Sequence, residues 1–204
     1  MSIRKRRYKL YADFHRVFKF LQDTYDMESL NSYLLPQFFE YAHTHPAFNH
    51  KLTHRFGLWE DDGELCGIAC YEMDLGETLI SVHPDYEFCL PDMLCWAERE
   101  LSTFNDGVRK HAVWITDKEK TKCDLLVENS YHCIHSEPVT IFTYAKEFPE
   151  VKLPDGFSII TLADETIYEK SMIVCGRALT METTLMMTSI VVCKCNPERT
   201  LPPN

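Results

Sequence analysis

Four histidines, His43, His45, His50 and His54, crowd one short stretch of the chain. Imidazoles this close could ligate zinc or nickel, but no Cys or carboxylate nearby completes a familiar ligand spacing. Structural or surface histidines are therefore expected. Cys193-x-Cys195 is shorter than the two-residue spacing of a zinc knuckle and is set aside as a metal site. The nine Cys are an odd number, and Cys66, Cys70, Cys89, Cys95, Cys123 and Cys133 lie mostly in apolar segments. Buried, reduced thiols follow, and no residue is assigned to a metal.

The elements that must position any site come from a chain of 204 residues, 45% hydrophobic, 12% aromatic and 25% charged, with a net charge of −10. That composition belongs to a packed globular protein. The acidic balance disfavours nucleic acid and anionic membrane as partners. No apolar run approaches the ~20 residues of a membrane helix, and the basic run Arg4-Lys5-Arg6-Arg7 is not followed by a signal-peptide stretch, so a cytoplasmic protein is expected. Alternation through Tyr8, Leu10 and Tyr11 places that basic run on an exposed strand edge rather than on a nucleic-acid arm.

Residues 3 to 11 alternate like a strand. Asp13 can cap a helix to about Tyr25, with Phe14, Val17, Phe18 and Leu21 at helical spacing. Residues 33 to 42 make a second helix, ended by His45-Pro46. Strands 55 to 60 and 64 to 73 flank Asp61-Asp62-Gly63, a turn that supplies the positive φ angles of a tight hairpin. Strand 78 to 83, a helix from Pro91 to Leu101, strand 111 to 116, helix 120 to 128 and a long strand around 134 to 144 complete the order. Three consecutive strands followed by strand-helix alternation imply an α/β fold: a mixed sheet with helices on both faces, strands 78 to 83 and 111 to 116 parallel and adjacent.

This order, with Trp59-Glu60-Asp61-Asp62-Gly63-Glu64-Leu65-Cys66-Gly67 and with Val82-His83-Pro84-Asp85-Tyr86 before a helix, resembles the GNAT (Gcn5-related N-acetyltransferase) superfamily over about residues 3 to 146. The junction Leu153-Pro154-Asp155-Gly156-Phe157 resembles the linker of bacterial proteins carrying two such halves in tandem. The resemblance implies transfer of an acetyl group from acetyl-CoA to an amine, which the sequence leaves unidentified. It also implies a phosphate-binding loop, R/Q-x-x-G-x-G/A, at a helix N-terminus, where backbone N–H groups meet an anion.

Aligned on that loop, Glu87 stands at the R/Q position and Leu90 and Asp92 at the two small-residue positions. Two carboxylates would repel a pyrophosphate, and Leu90 with Pro91 closes the approach and removes a donor. The first half is thus expected to be degenerate, the working half to begin at residue 157, and the chain as a whole to be weak or inactive. The resemblance places an acid or base at Glu72, His83 or Tyr131. Each has a plainer reading: a solvent-facing strand residue, a turn before Pro84, and a core ring. No residue is assigned as catalytic or cofactor-binding. A non-catalytic binding or dimerisation module is the alternative.

The domains expected are 1 to 146, a linker 147 to 156, the first strand of an incomplete second domain in 157 to 170, and an aberrant tail 171 to 204. No aromatic residue follows Lys170, although at 12% about four would be expected in that length. The tail shows no periodicity that would bury one face, so disorder is expected. A shifted reading frame gives a sharper account. Because Met has one codon, reading one base earlier forces Asp at Met172-Ile173, Met186-Met187 and Met187-Thr188, and Gly at Met181-Glu182. Permitted codons elsewhere spell a stretch resembling the second half of tandem GNAT proteins. An unpaired strand 157 to 162 would invite self-association.

Overall fold

The computed structural model describes residues 2–26, 31–105, 107–138, 152–158 and 189–194. The chain divides into two compact units, Met1–Pro138 with Ser189–Asn204, and Val139–Thr188. The first stretch of the first unit ends at Pro138, and the expected boundary at 146 lies outside the described residues. In the second unit, Phe157 N–H donates to the Pro154 carbonyl across a turn whose Gly156 has φ 85°. Leu153 and Phe157 are exposed. Phe157 and Ser158 carry no strand; the rest of the expected strand 157 to 162 lies outside the described residues.

The first unit opens with strand β1 (Ile3–Arg7) and helix α1 (Leu10–Thr24). The strand ends before the expected residue 11 and the helix starts earlier than expected, so that Asp13 sits inside the first helical turn, where it accepts the Lys9 N–H at 2.7 Å. A carboxylate there answers one of the donors that every helix start leaves unpaired. Val17, Phe20 and Leu21 form the buried stripe of α1. Helix α2 (Pro36–Thr44) has Pro36 in its first turn and stops at His45, which is extended before Pro46.

Strands β2 (Gly57–Asp61) and β3 (Glu64–Cys70) form the expected hairpin. Asp62 (φ 48°) and Gly63 (φ 87°) supply its two positive φ angles. Strand β4 (Glu77–Val82) pairs antiparallel with β3. A 3₁₀ stretch (Pro84–Cys89) then runs into helix α3 (Leu90–Glu100). A small antiparallel pair not anticipated from sequence, β5 (Thr103–Asn105) and β6 (Val108–Lys110), leads to β7 (Ala112–Thr116), helix α4 (Lys120–Glu128) and β8 (His132–Pro138). The strand expected over 134 to 144 is described only to Pro138, the remainder lying outside the described residues.

The tail differs from expectation at one place. Ser189–Lys194 forms β9, lying between β7 and β8 and antiparallel to both. The β-branched run Ile190-Val191-Val192 suits a strand paired on both sides. The sheet order is β1-β2-β3-β4-β7-β9-β8. Its single parallel junction among the described residues is β4 with β7, the pair expected to be parallel and adjacent.

Both faces of the sheet are covered. Five consecutive residues of β3, Cys66 to Cys70, are buried, and α1 and α3 both pack on this strand. A Cβ on Gly67 would lie 2.9 Å from Met93 Cε, so the missing side chain lets α3 approach. Trp59, Tyr8, Tyr71 and Phe56 lead the core, each aromatic among the largest single contributors to burial. Among the described residues no helix is long and apolar enough to cross a membrane.

Candidate ligand cleft between the parallel strands

In open α/β sheets, ligands collect at the carboxyl ends of parallel strands where the chain's direction around the sheet changes. The β4–β7 junction is that place here. Its ladder covers Glu77↔Ala112, Thr78↔Val113 and Leu79↔Trp114, then stops, although β4 continues to Val82 and β7 to Thr116. The other side of β4 stays paired with β3 as far as Val82. The strands therefore part toward their carboxyl ends, and backbone groups facing the opening need partners from elsewhere.

Side chains at the start of α4 supply them. The Thr116 N–H donates to Glu119 Oε2 at 2.7 Å, Glu119 pairs with Lys122, and Lys122 Nζ donates to the Ile80 carbonyl at 2.5 Å. Glu119 and Lys122 are both buried. One turn away, the Thr121 hydroxyl donates to Glu87 Oε2 at 2.9 Å. Three residues of one helical turn thus reach from the β7 side to β4 and its following loop.

That loop has no open anion nest. The 3₁₀ stretch leads directly into α3, and the Leu90 N–H is spent on the Glu87 carbonyl. Leu90 is buried. Asp92 accepts from Trp59 Nε1 at 2.9 Å and from Lys5 at 2.6 Å; burial opposes its charge, but these two donors hold its pKa below the ordinary value.

The three acid-base candidates do not converge. His83 is part of a turn, its Nδ1 accepting the Asp85 N–H at 3.2 Å. Tyr131 is buried and donates to Glu98 Oε1 at 2.9 Å. Glu72 lies just past the end of β3 and is half-buried instead of solvent-facing. Burial, helped by Glu77, pushes its pKa up. Near it Tyr33 stacks on Trp114, ring centroids 5.4 Å apart, and Trp114 Nε1 donates to Glu77 at 3.0 Å. Burial raises the Tyr33 phenol to about 12, with Glu72, Glu137 and Glu77 adding to the effect.

The histidines serve their own elements. His43 holds the Phe39 carbonyl at 2.7 Å and the Tyr8 hydroxyl at 3.2 Å, inside a ring cluster with Phe14, Phe39 and Phe48. His45 Nδ1 accepts from Ala47, and His54 contacts Lys51. Among the described residues no group of three or more His, Cys, Asp or Glu could hold a metal ion. Cys66, Cys70 and Cys89 are buried free thiols, whereas Cys95 and Cys133 are exposed. Burial drives the Cys66 thiol up to about 11.

Sequence reasoning missed Glu119, Thr121 and Lys122. Their spacing marks only one helical turn, and a Lys at the start of a polar helix gives no sign that its ammonium will be buried against a carbonyl of β4.

No protein-family model and no curated protein sequence matches the chain. Among solved structures, it is similar to an acetyltransferase of the GNAT family from Streptococcus pneumoniae at 13% identity and TM-score 0.43, covering 72% of this chain and 94% of that one. The ribosomal-protein-S18-alanine N-acetyltransferase from Escherichia coli gives 8% identity and TM-score 0.48, covering 98% of this chain and 96% of that one. Diaminobutyrate acetyltransferase EctA from Paenibacillus lautus, solved with its substrate L-2,4-diaminobutyric acid and coenzyme A, gives 10% identity and TM-score 0.46, covering 98% and 99%. These acetyltransferases are what the mixed sheet of this chain is similar to.

Proposed function

We propose that the chain is a GNAT-family N-acyltransferase in type, built for acetyl transfer from acetyl-CoA to an amine, whose described domain is the degenerate half and has little or no activity of its own. The sheet order with its one parallel, diverging junction supports the acyltransferase reading, together with the sequence motifs around Gly63 and Pro84.

The observation that carries the loss of activity is the loop after β4. A pyrophosphate needs free N–H groups at the start of α3, but the Leu90 N–H is already spent on the Glu87 carbonyl and the next residue, Pro91, has no N–H to offer. Glu87, at the position of the family's cationic or amide side chain, presents a carboxylate that is tied to Thr121. The residues present do not fit coenzyme A, so no catalytic step is assigned to them. A GNAT-like module that binds or dimerises without catalysis is the second reading, favoured by the exposed Phe157 beyond the first unit.

Calorimetric titration of acetyl-CoA into the 204-residue chain, with a panel of primary amines for turnover, tests the proposal. No saturation and no turnover are expected. Saturable binding accompanied by turnover of any amine would overturn it. Light scattering separates the second reading, which requires a stable dimer or a bound partner.

A further inference from the structure

We infer that Glu119 and Lys122 form a built-in stopper, which keeps an extended amide-bearing ligand out of the cleft between β4 and β7. This deepens the reading of a degenerate domain and rests on it. It concerns the strand cleft, a different element from the phosphate loop.

When two parallel strands part, each leaves an unmatched donor or acceptor facing the gap, and an unpaired buried backbone group is destabilising. A ligand carrying amides can meet that need by lying along a strand as an added strand would. In this chain the need is already met from within. The bridge runs Thr116 N–H, Glu119 carboxylate, Lys122 ammonium, Ile80 carbonyl. It spans the gap from β7 to β4 in place of a backbone ladder.

The pair is also well suited to stay. Both side chains are nearly inaccessible, at 10% for Lys122 and 4% for Glu119. Taking Lys122 away would strand a buried carboxylate, and taking Glu119 away would strand an ammonium; breaking a buried pair from one side is more costly than removing both charges. Thr121 with Glu87 adds a second tie from the same helical turn to the β4 side. A ligand amide would have to displace Lys122 before it could reach the Ile80 carbonyl.

The test uses S-acetylpantetheine, which carries two amides and a thioester but no diphosphate, so the unfavourable phosphate loop plays no part. Three forms of the full chain are titrated by calorimetry: the natural sequence, Glu119→Ala with Lys122→Ala, and Glu119→Gln with Lys122→Met. The last keeps side-chain volume and removes both charges, so it serves if the double alanine variant does not fold. The natural chain is expected to show no saturation at millimolar ligand. A folded double variant is expected to bind about tenfold or more tightly, the scale of one backbone hydrogen bond made available to a ligand. Lys118→Ala, at an exposed residue just before the same helical turn, leaves the stopper in place and should behave like the natural chain. Equal binding by the natural chain and the variants overturns the inference, as does a folded Gln/Met variant that binds nothing. The proposed function fails separately, by acetyl-CoA turnover in the natural chain.

Discussion

His111 Nδ1 lies 2.7 Å from the Tyr131 hydroxyl inside the core, and that contact sets the direction of a four-residue chain of hydrogen bonds. Tyr131 spends its proton on Glu98 Oε1, so His111 must donate to Tyr131 from Nδ1 and keep Nε2 bare. The bare nitrogen then accepts from Thr78 Oγ1 at 2.8 Å. Strand β4, helix α3 and the residues before β7 and β8 are thereby joined through one buried neutral imidazole.

Acid should act on this link before it acts on the carboxylates. Burial, with Arg109 adding to it, pushes the His111 pKa from 6.5 down to about 3. The unfolded chain therefore binds a proton that the folded chain refuses. Stability is full above pH ~6.5 and falls as pH drops toward the folded value. Urea midpoints measured between pH 7.5 and 5 should decline, and His111→Gln should flatten the decline while lowering the midpoint at pH 7.5. An unchanged slope in the variant would remove His111 as its source.

A second expectation concerns close packing where β2 meets α3. A Cβ on Gly57 would stand 2.7 Å from the Trp59 ring and 2.8 Å from Trp96 Nε1. Neither ring can easily give way. Trp59 Nε1 is held by Asp92 and Trp96 Nε1 by the Arg55 carbonyl, each at 2.9 Å. Gly57→Ala should cost about 1–3 kcal/mol, the usual penalty for overpacking. Gly63→Ala makes the comparison, since nothing lies within 4 Å of its Cβ and only its positive φ is strained. Thermal melts should show the larger loss at Gly57; equal losses would mean that the tryptophans yield.

Arg6 gives a third. Its guanidinium forks onto Asp13 at 2.7 and 2.8 Å and reaches Glu60 at 2.7 Å, and Arg16 shares Glu60 at 2.9 Å. Burial opposes charge on Asp13, but Arg6 and the Lys9 N–H outweigh it; Arg6 is the chief cause at Glu60, and both pKa values are lowered. Depressed carboxyls stabilise the fold above their ordinary pKa of about 4 and lose that contribution as pH falls below it. Arg6→Met leaves Glu60 with Arg16 and Asp13 with the Lys9 N–H, and should cost about 1–3 kcal/mol at neutral pH, the scale of lost hydrogen bonds to charged groups. Its acid-unfolding midpoint should also move to higher pH. A midpoint that stays put would assign the low pKa values to Arg16 and the backbone.

These residues also mark what was legible in the sequence. The hairpin at Asp62-Gly63 and the parallel pairing of β4 with β7 could be read because turn chemistry and crossover rules are local or nearly so. The departures at Glu87, Leu90 and Asp92 were equally visible as residue types at loop positions. Asp13 was misplaced by one helical turn, since a carboxylate can serve a helix start from before it or from within it. Tyr131 could be read as a core ring, but its partners Glu98 and His111 lie on elements that only the folded sheet brings together. Lys122 was hidden for the same reason: its partner is a carbonyl on β4, and no pattern in the helix announces it.

The tail offers the sharpest contrast between a shifted reading frame and a structural role. If 171 to 204 is a frame-shifted extension, removing its end should leave the first unit intact. In the structure, however, Ser189–Lys194 is the strand that joins β7 to β8, and β8 has no other strand partner among the described residues. Truncating the chain before Ser189 would leave β7 held only by its short parallel ladder to β4 and would expose a long edge. Exposed edges recruit other chains, so the truncated protein should melt lower, by several degrees or more, and scatter light as it associates. An unchanged melt would return the tail to an unexplained extension. The coding DNA supplies the complementary observation. Restoring one base near the Lys170 codon should open a frame running on for about 100 residues, the length of a domain. In such a protein the place between β7 and β8 would have to be filled by a different strand. An immediate stop in that frame would end the shifted-frame account and leave Ser189–Lys194 as the strand that the fold requires.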